Sequence, residues 1–139
     1  MSAYGSLRRC RQSFEGTTPA GLWQTSDDQG RPDGLVRIVA RDGGFDATVE
    51  AVFSPPAPSA QPRCELCPGE LKDQPVVGMR IASGLKADDE GWAGEILDPD
   101  DGKRYRCTLR LADGGRRLEV RGYVGLPLFG RTQVWTRRE

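Results

Sequence analysis

Apolar residues recur at every second position along several short segments of this chain, and turn sequences rich in glycine and aspartate separate the segments. The clearest segment is residues 45–53, where positions 45, 47, 49, 51 and 53 are all apolar. A second runs from Arg104 to Leu111. Asp42-Gly43-Gly44 and Asp113-Gly114-Gly115 lie beside them and are typical of tight hairpins. A period of two predicts β-strands with one buried face.

About eight such strands can be placed between Gly21 and Arg137, and none of the intervening sequence predicts a helix longer than a turn or two. Consecutive hairpins favour an up-and-down barrel over a Greek-key sandwich. The predicted fold class is therefore all-β, an eight-stranded antiparallel up-and-down barrel. A barrel of eight strands has room inside for packed side chains or for one small ligand.

Length and composition fit one domain of this kind. The chain has 139 residues, with 18 glycines and 10 prolines, which favours many turns and few helices. We assign residues 19–138 to a single barrel domain. Residues 1–18 are polar and predict a disordered tail or the remnant of a removed leader. Residues 54–68 hold five prolines and two cysteines and predict a long loop within the barrel.

The sequence contains no histidine, and this excludes several kinds of active site. Ser-His-Asp and Cys-His nucleophile systems, a histidine general base and every histidine-containing metal site are ruled out. The formal net charge is zero, which argues against a nucleic-acid coat. No apolar stretch has the length of a membrane span. We therefore expect a protein that is not an enzyme, with no cofactor, no metal, no nucleic-acid partner and no membrane span.

Several short sequence segments, in their order and spacing, resemble those of the bacterial family catalogued as domain of unknown function 2147. The resemblance covers about residues 19–137. The matching segments are Gly21-Leu22-Trp23, Cys64-Glu65-Leu66-Cys67 with Gly69-Glu70-Leu71-Lys72, Ile96-Leu97-Asp98-Pro99 with Gly102-Lys103-Arg104-Tyr105, Val120-Arg121-Gly122-Tyr123-Val124-Gly125 and Leu128-Phe129-Gly130-Arg131-Thr132-Gln133-Val134-Trp135. The resemblance implies a lipocalin-like, calycin-type barrel and a periplasmic or secreted location. It implies no reaction, because the family has none assigned.

The same resemblance assigns a structural role to the first strand. Lipocalin-like barrels open with Gly-X-Trp, as Gly21-Leu22-Trp23 does here, and the tryptophan plugs the closed end. In similar barrels an arginine near the last strand lies over that indole. Arg131 and Arg137 are the two candidates, and a cation–π contact of this kind contributes about 0.5–2 kcal/mol.

Cys64 and Cys67 are spaced as Cys-x-x-Cys, for which three interpretations stand. A local disulfide would pin the proline-rich loop in an oxidising periplasm. A thioredoxin-like redox pair needs a helix that the pattern does not provide. A zinc site would need Cys10 and Cys107 as further ligands. Cys107 also alternates with inward residues and fits a small buried apolar position.

Acidic segments in the chain predict turns. Asp27-Asp28-Gln29-Gly30 and Pro32-Asp33-Gly34 are turn sequences. Asp98, Asp100 and Asp101 before Gly102 predict a hairpin turn as well. They are spaced somewhat like a calcium loop but lack its downstream glutamate.

Basic residues are concentrated near the C-terminus and share one predicted outer face. Between Lys103 and Glu139 there are ten basic and three acidic residues. The arginines that alternate outward are Arg104, Arg106, Arg110, Arg117 and Arg121. They form either a solvated surface or a docking face for an anionic partner, such as a phosphate-bearing envelope component.

Two functional hypotheses follow from these residues. In the first, Phe45, Trp92, Tyr105 and Trp135 line a cavity that binds a small apolar or amphipathic ligand. In the second, the barrel is filled, and an interaction or scaffolding module uses the arginine face to dock an anionic partner. Filled and open barrels of this size both occur, so the sequence leaves both hypotheses in place.

Overall fold

The computed structural model describes residues 18–53, 62–125 and 130–139. The predicted tail up to residue 17, including Cys10, lies outside the described residues. So do residues 54–61 of the proline-rich loop and residues 126–129 of the connection before the last strand.

Eight antiparallel strands form one closed barrel, which confirms the predicted fold class. Each strand pairs with the next along the chain, and the last returns to pair with the first. The strands are β1 (Gly21–Ser26), β2 (Pro32–Arg41), β3 (Gly44–Val52), β4 (Arg80–Ala87), β5 (Trp92–Asp98), β6 (Lys103–Ala112), β7 (Arg117–Tyr123) and β8 (Arg131–Arg137). Single 3₁₀ turns occur at Gly69–Leu71 and Asp113–Gly115. Within the described residues, no helix has the length and apolar composition to cross a bilayer.

The period-two alternation determines which side chains face the interior. Residues directly opposite each other on neighbouring antiparallel strands point to the same side of the sheet. The register sets Val36 opposite Val49 on β3, and Leu109 opposite Val120 on β7. All four are buried, so their common face is the inside of the barrel.

Trp23 closes one end of the barrel together with the last strand. Its ring is fully buried, and its Nε1 donates a hydrogen bond to the Pro19 carbonyl at 2.8 Å. The Arg137 guanidinium carbon lies 4.4 Å from the ring centroid. Arg137 also donates to the carbonyls of Gly115, Ala20 and Thr18 at 2.7, 2.7 and 2.9 Å. Of the two candidate arginines, Arg137 therefore covers the indole, and Arg131 lies at the other end of the same strand.

The up-and-down topology assigns every second connection to the same end of the barrel. The connections after β1, β3, β5 and β7 lie at the end opposite Trp23, which we call the mouth. Residues 27–31 and 99–102 are two of these connections, and the segment ending at Met79 and the segment beginning at Val124 belong to the other two.

Cys64 and Cys67 are joined by a disulfide in the connection after β3. Both are buried, and this cysteine turn packs against the β5–β6 hairpin. The Cys64 sulfur lies 3.4 Å from the Pro99 carbonyl oxygen. A Cβ added to Gly102 would lie only 2.0 Å from the Leu66 carbonyl oxygen. Only glycine permits so close an approach. The cysteine turn, residues 64–67, therefore lies in direct contact with the β5–β6 hairpin at the mouth.

Candidate functional site

A cavity of about 510 Å³ occupies the half of the barrel nearest the mouth. Its lower wall is apolar and comes from residues on six strands: Val36, Val49, Ile81, Ile96, Val120 and Trp135. Val76, from the connection after β3, also contributes to the wall. The volume falls within the range of about 300–1,000 Å³ that is usual for small-molecule sites.

Two of the four aromatic residues predicted to line a cavity do so, namely Tyr105 and Trp135. Phe45 and Trp92 are not part of its wall. They pack against each other edge to face, with ring centroids 6.0 Å apart. Phe45 is the second residue of β3 and Trp92 the first of β5, and both of these strands begin at the closed end. The expected set of four is corrected to two, because alternation gives the face of a strand but not the depth in the barrel.

Five aspartates lie around the mouth of the cavity, and one arginine accompanies them. Asp28 and Asp33 come from the β1–β2 hairpin, and Asp98, Asp100 and Asp101 come from the β5–β6 hairpin. The arginine is Arg131, whose guanidinium lies 2.9 Å from the Asp28 carboxylate. We call these five aspartates the acidic rim.

Hydrogen bonds hold most of the acidic rim in place. The Asp98 carboxylate accepts the backbone N–H of Asp100 at 2.8 Å, and Asp101 accepts that of Lys103 at 2.9 Å. The Tyr105 hydroxyl donates to Asp101, and the Thr25 hydroxyl donates to Asp33.

Asp100 differs from the other members of the acidic rim. No donor among the described residues lies within hydrogen-bonding distance of its carboxylate. The backbone turn therefore orients its neighbours Asp98 and Asp101, while Asp100 is exposed at the mouth.

The pKa values of Asp98, Asp100 and Tyr105 are all raised at the mouth. Partial burial is the largest cause that raises the pKa of Asp98 and of Asp100 above the usual value. Repulsion from other carboxylates adds to it, and Asp28 contributes to both shifts from the opposite hairpin. The hydrogen bond to Asp101 is the main cause that raises the pKa of Tyr105 to about 12. The two hairpins thus share one electrostatic environment across the mouth.

The three cysteines among the described residues take no part in this site as reactive groups. The disulfide uses Cys64 and Cys67, and Cys107 is buried on the inner face of β6. Burial raises the pKa of the Cys107 thiol to about 11. In the part of the chain that the structure describes, no three cysteine or carboxylate side chains are grouped closely enough to hold a metal ion.

The five predicted arginines do share the outer face of β6 and β7, but carboxylates lie among them. Glu119 is opposite Arg110, and Glu95 is opposite Arg106. Arg110 forms an ion pair with Glu90, and Arg117 lies 3.9 Å from Asp113. Arg121 donates to the Thr132 hydroxyl at 2.9 Å. Arg104 is exposed beside the mouth. This face therefore carries mixed charge.

Sequence reasoning did not identify the acidic rim, although a signal for it existed. Taken separately, Asp28 and Asp33 predict one turn, and Asp98, Asp100 and Asp101 predict another. In an up-and-down barrel the first and fifth connections lie at the same end, so two acidic turns in those positions predict one acidic mouth.

Comparison with known proteins gives a family and a fold. The sequence profile of the family described as "Uncharacterized protein conserved in bacteria (DUF2147)" matches residues 21–137. Among solved structures, the chain is similar to protein HP1028 from Helicobacter pylori, which is described as belonging to the lipocalin family. The two share 22% sequence identity and a TM-score of 0.72, over 86% of this chain and 82% of the other. No curated protein matches the sequence.

Proposed function

This chain belongs to the bacterial family DUF2147, and we propose that it binds one small apolar or amphipathic molecule inside its lipocalin-like barrel without transforming it. The observation that carries this proposal is the cavity beneath the mouth, with its apolar wall and its volume of about 510 Å³. Apolar surface that is already concave and open at one end gains free energy when a ligand displaces water from it.

The location that we propose is the bacterial envelope. A disulfide with both cysteines buried fits an oxidising compartment, because cytosolic thiols are kept reduced. The family resemblance supports the same location.

The second hypothesis, a filled barrel that docks an anionic partner, receives less support. A cavity of this volume does not fit its first premise. Its second premise is weakened by Glu119 and Glu95, which lie among the outer arginines and offset their charge.

Binding can be tested with a neutral fluorescent probe, N-phenyl-1-naphthylamine, whose emission rises in apolar surroundings. We expect saturable enhancement with the native protein. Gly122→Phe should abolish it, because Gly122 lines the cavity and its new side chain would occupy the space. An added Cβ there would lie 3.7 Å from the Tyr105 Cβ, an ordinary contact, so the substitution fills the cavity without straining the backbone.

The matched control is Val39→Phe, which adds similar apolar bulk on the exposed outer face of β2. It should bind the probe like the native protein. Circular dichroism of both variants verifies that the barrel has folded. Equal probe binding by the native protein and a folded Gly122→Phe variant would place the probe elsewhere and refute the proposal.

A further inference from the structure

We propose that the ligand of this cavity is cationic: an amphiphile with an ammonium group at its head and an apolar tail. This inference rests on the proposed function and specifies the ligand class for the same site. The head group would lie at the acidic rim, and the tail would lie against the apolar wall below.

The charge at the mouth strongly favours a cation. Among the described residues, the cavity lining holds five carboxylates and the guanidinium of Arg131, which is already paired with Asp28 at 2.9 Å. An anionic head group would have to compete with Asp28 for that guanidinium while facing the remaining four carboxylates. An ammonium group meets the opposite situation, since every unpaired charge of the acidic rim attracts it.

The two acidic hairpins face each other across the opening, so a single head group can interact with both. Asp28 on one hairpin contributes to the raised pKa of Asp98 and Asp100 on the other. These carboxylates therefore repel one another. A cation placed between them offsets that repulsion.

An organic cation fits this arrangement better than a metal ion does. A metal ion needs several ligand oxygens within about 2.5 Å of one point. Among the described residues, no group of three carboxylates is close enough to provide them. A bulky ammonium group needs no such convergence, and only a ligand with a tail would use the apolar wall formed by Val36, Val120 and Trp135.

The test compares three decyl compounds below their micelle concentrations as competitors of N-phenyl-1-naphthylamine. Decyltrimethylammonium carries a positive head, decyl sulfate a negative one and decyl maltoside a neutral one. At low salt we expect decyltrimethylammonium to bind at least about tenfold more tightly than either of the others, because several rim charges act together. Added salt should reduce this preference, since the rim is partly exposed to solvent.

The variant Asp98→Asn/Asp100→Asn isolates the role of the acidic rim. It should lose most of the preference for decyltrimethylammonium, measured as the ratio of its affinity to that of decyl maltoside in the same variant. The matched control, Asp42→Asn/Asp89→Asn, removes the same charge from two hairpins at the closed end and should keep the preference.

The outcomes test two separate claims: that the barrel binds a small molecule, and that this molecule is cationic. If the probe binds inside the barrel but the three decyl compounds compete equally, or decyl sulfate competes best, the cationic ligand is refuted and the binding function stands. If neither the probe nor any decyl compound binds, both are refuted. If calcium at micromolar concentration displaces decyltrimethylammonium while magnesium at equal ionic strength does not, the acidic rim is a metal site and the inference is wrong.

Discussion

Tyr105 donates the hydrogen bond of its hydroxyl to the carboxylate of Asp101, four residues earlier in the β5–β6 hairpin. Tyr105 lies on the cavity wall and Asp101 on the acidic rim, so this bond joins the two parts of the site. This hydrogen bond favours the protonated phenol and is the main cause of the raised pKa of Tyr105.

Replacing Asp101 with asparagine should lower the pKa of Tyr105 from about 12 towards 10. The amide keeps an acceptor oxygen but removes the negative charge that opposes phenolate formation. The absorbance of tyrosinate, followed as pH rises, measures the change, and the difference from Tyr105→Phe isolates this one phenol. A midpoint that does not move would mean that burial, and not Asp101, controls the titration.

Asp98→Asn should stabilise the protein at neutral pH. The pKa of Asp98 is raised in the folded state, mainly by burial, so folding is penalised wherever this group is ionised. The penalty decreases as pH falls through the raised pKa and is gone below about pH 4, where the unfolded state is protonated as well. The asparagine side chain keeps an oxygen that can accept the N–H of Asp100. Urea unfolding at neutral and acid pH measures the difference, and a loss of stability at neutral pH would contradict it.

Asp46→Asn should have the opposite effect. This buried carboxylate accepts the Gly84 N–H at 3.0 Å and the Ser83 hydroxyl at 3.3 Å, and it lies 3.4 Å from Arg41. The Gly84 hydrogen bond is the main cause of its lowered pKa. We expect a loss of about 1–3 kcal/mol at neutral pH.

The effect of Asp46→Asn should fade under acid conditions, because the stabilisation by Asp46 is lost as pH falls through its lowered pKa. The exposed Asp42→Asn variant is the control in the same urea series. Equal losses for the two variants would show that the contacts of Asp46 contribute little.

Gly102→Ala should destabilise the protein more than Gly114→Ala does. Both glycines have a positive φ, of 70° and 64°, so alanine meets similar backbone strain at each. At Gly102 the new Cβ would also lie 2.0 Å from the Leu66 carbonyl oxygen, whereas the space at Gly114 is open. Thermal unfolding should show a larger fall in Tm for Gly102→Ala. Equal falls would mean that the cysteine turn moves away from the β5–β6 hairpin at little cost.

Arg137→Met should cost about 3 kcal/mol or more of unfolding free energy. The change removes the stacking on Trp23, worth about 0.5–2 kcal/mol, and three hydrogen bonds to backbone carbonyls. The neighbouring Arg138→Met variant removes an exposed guanidinium and should cost much less. Urea unfolding followed by tryptophan fluorescence compares them, and similar costs would refute a specific role for Arg137.

The faces of the strands could be predicted from the sequence, whereas positions along the barrel axis could not. Alternation predicts that Tyr105 points inward, and Trp92 is predicted to line the same cavity. Tyr105 lines the cavity and Trp92 does not, because β6 begins at the mouth and β5 begins at the closed end. Depth depends on strand direction and stagger, which are properties of the assembled sheet and not of any one segment.

The acidic rim illustrates a second limit. Asp28 and Asp100 are far apart in sequence, and each lies in a segment whose residues already predict a turn. Only closure of the barrel brings the two hairpins together and lets their charges interact. Local sequence patterns indicate the turn and give no sign of the partner across the mouth.

The contacts of Arg137 also determine when this protein can finish folding. Its partners Ala20 and Thr18 precede it by 117 and 119 residues, and it is the last residue of the final strand. Until that strand is available, the first strand has one unpaired edge and Trp23 has no cover. The barrel can therefore close only once β8 has emerged from the ribosome or from any translocation channel. Until then, any sheet formed by β1 to β7 has two open edges with unpaired backbone groups, to which chaperones can bind.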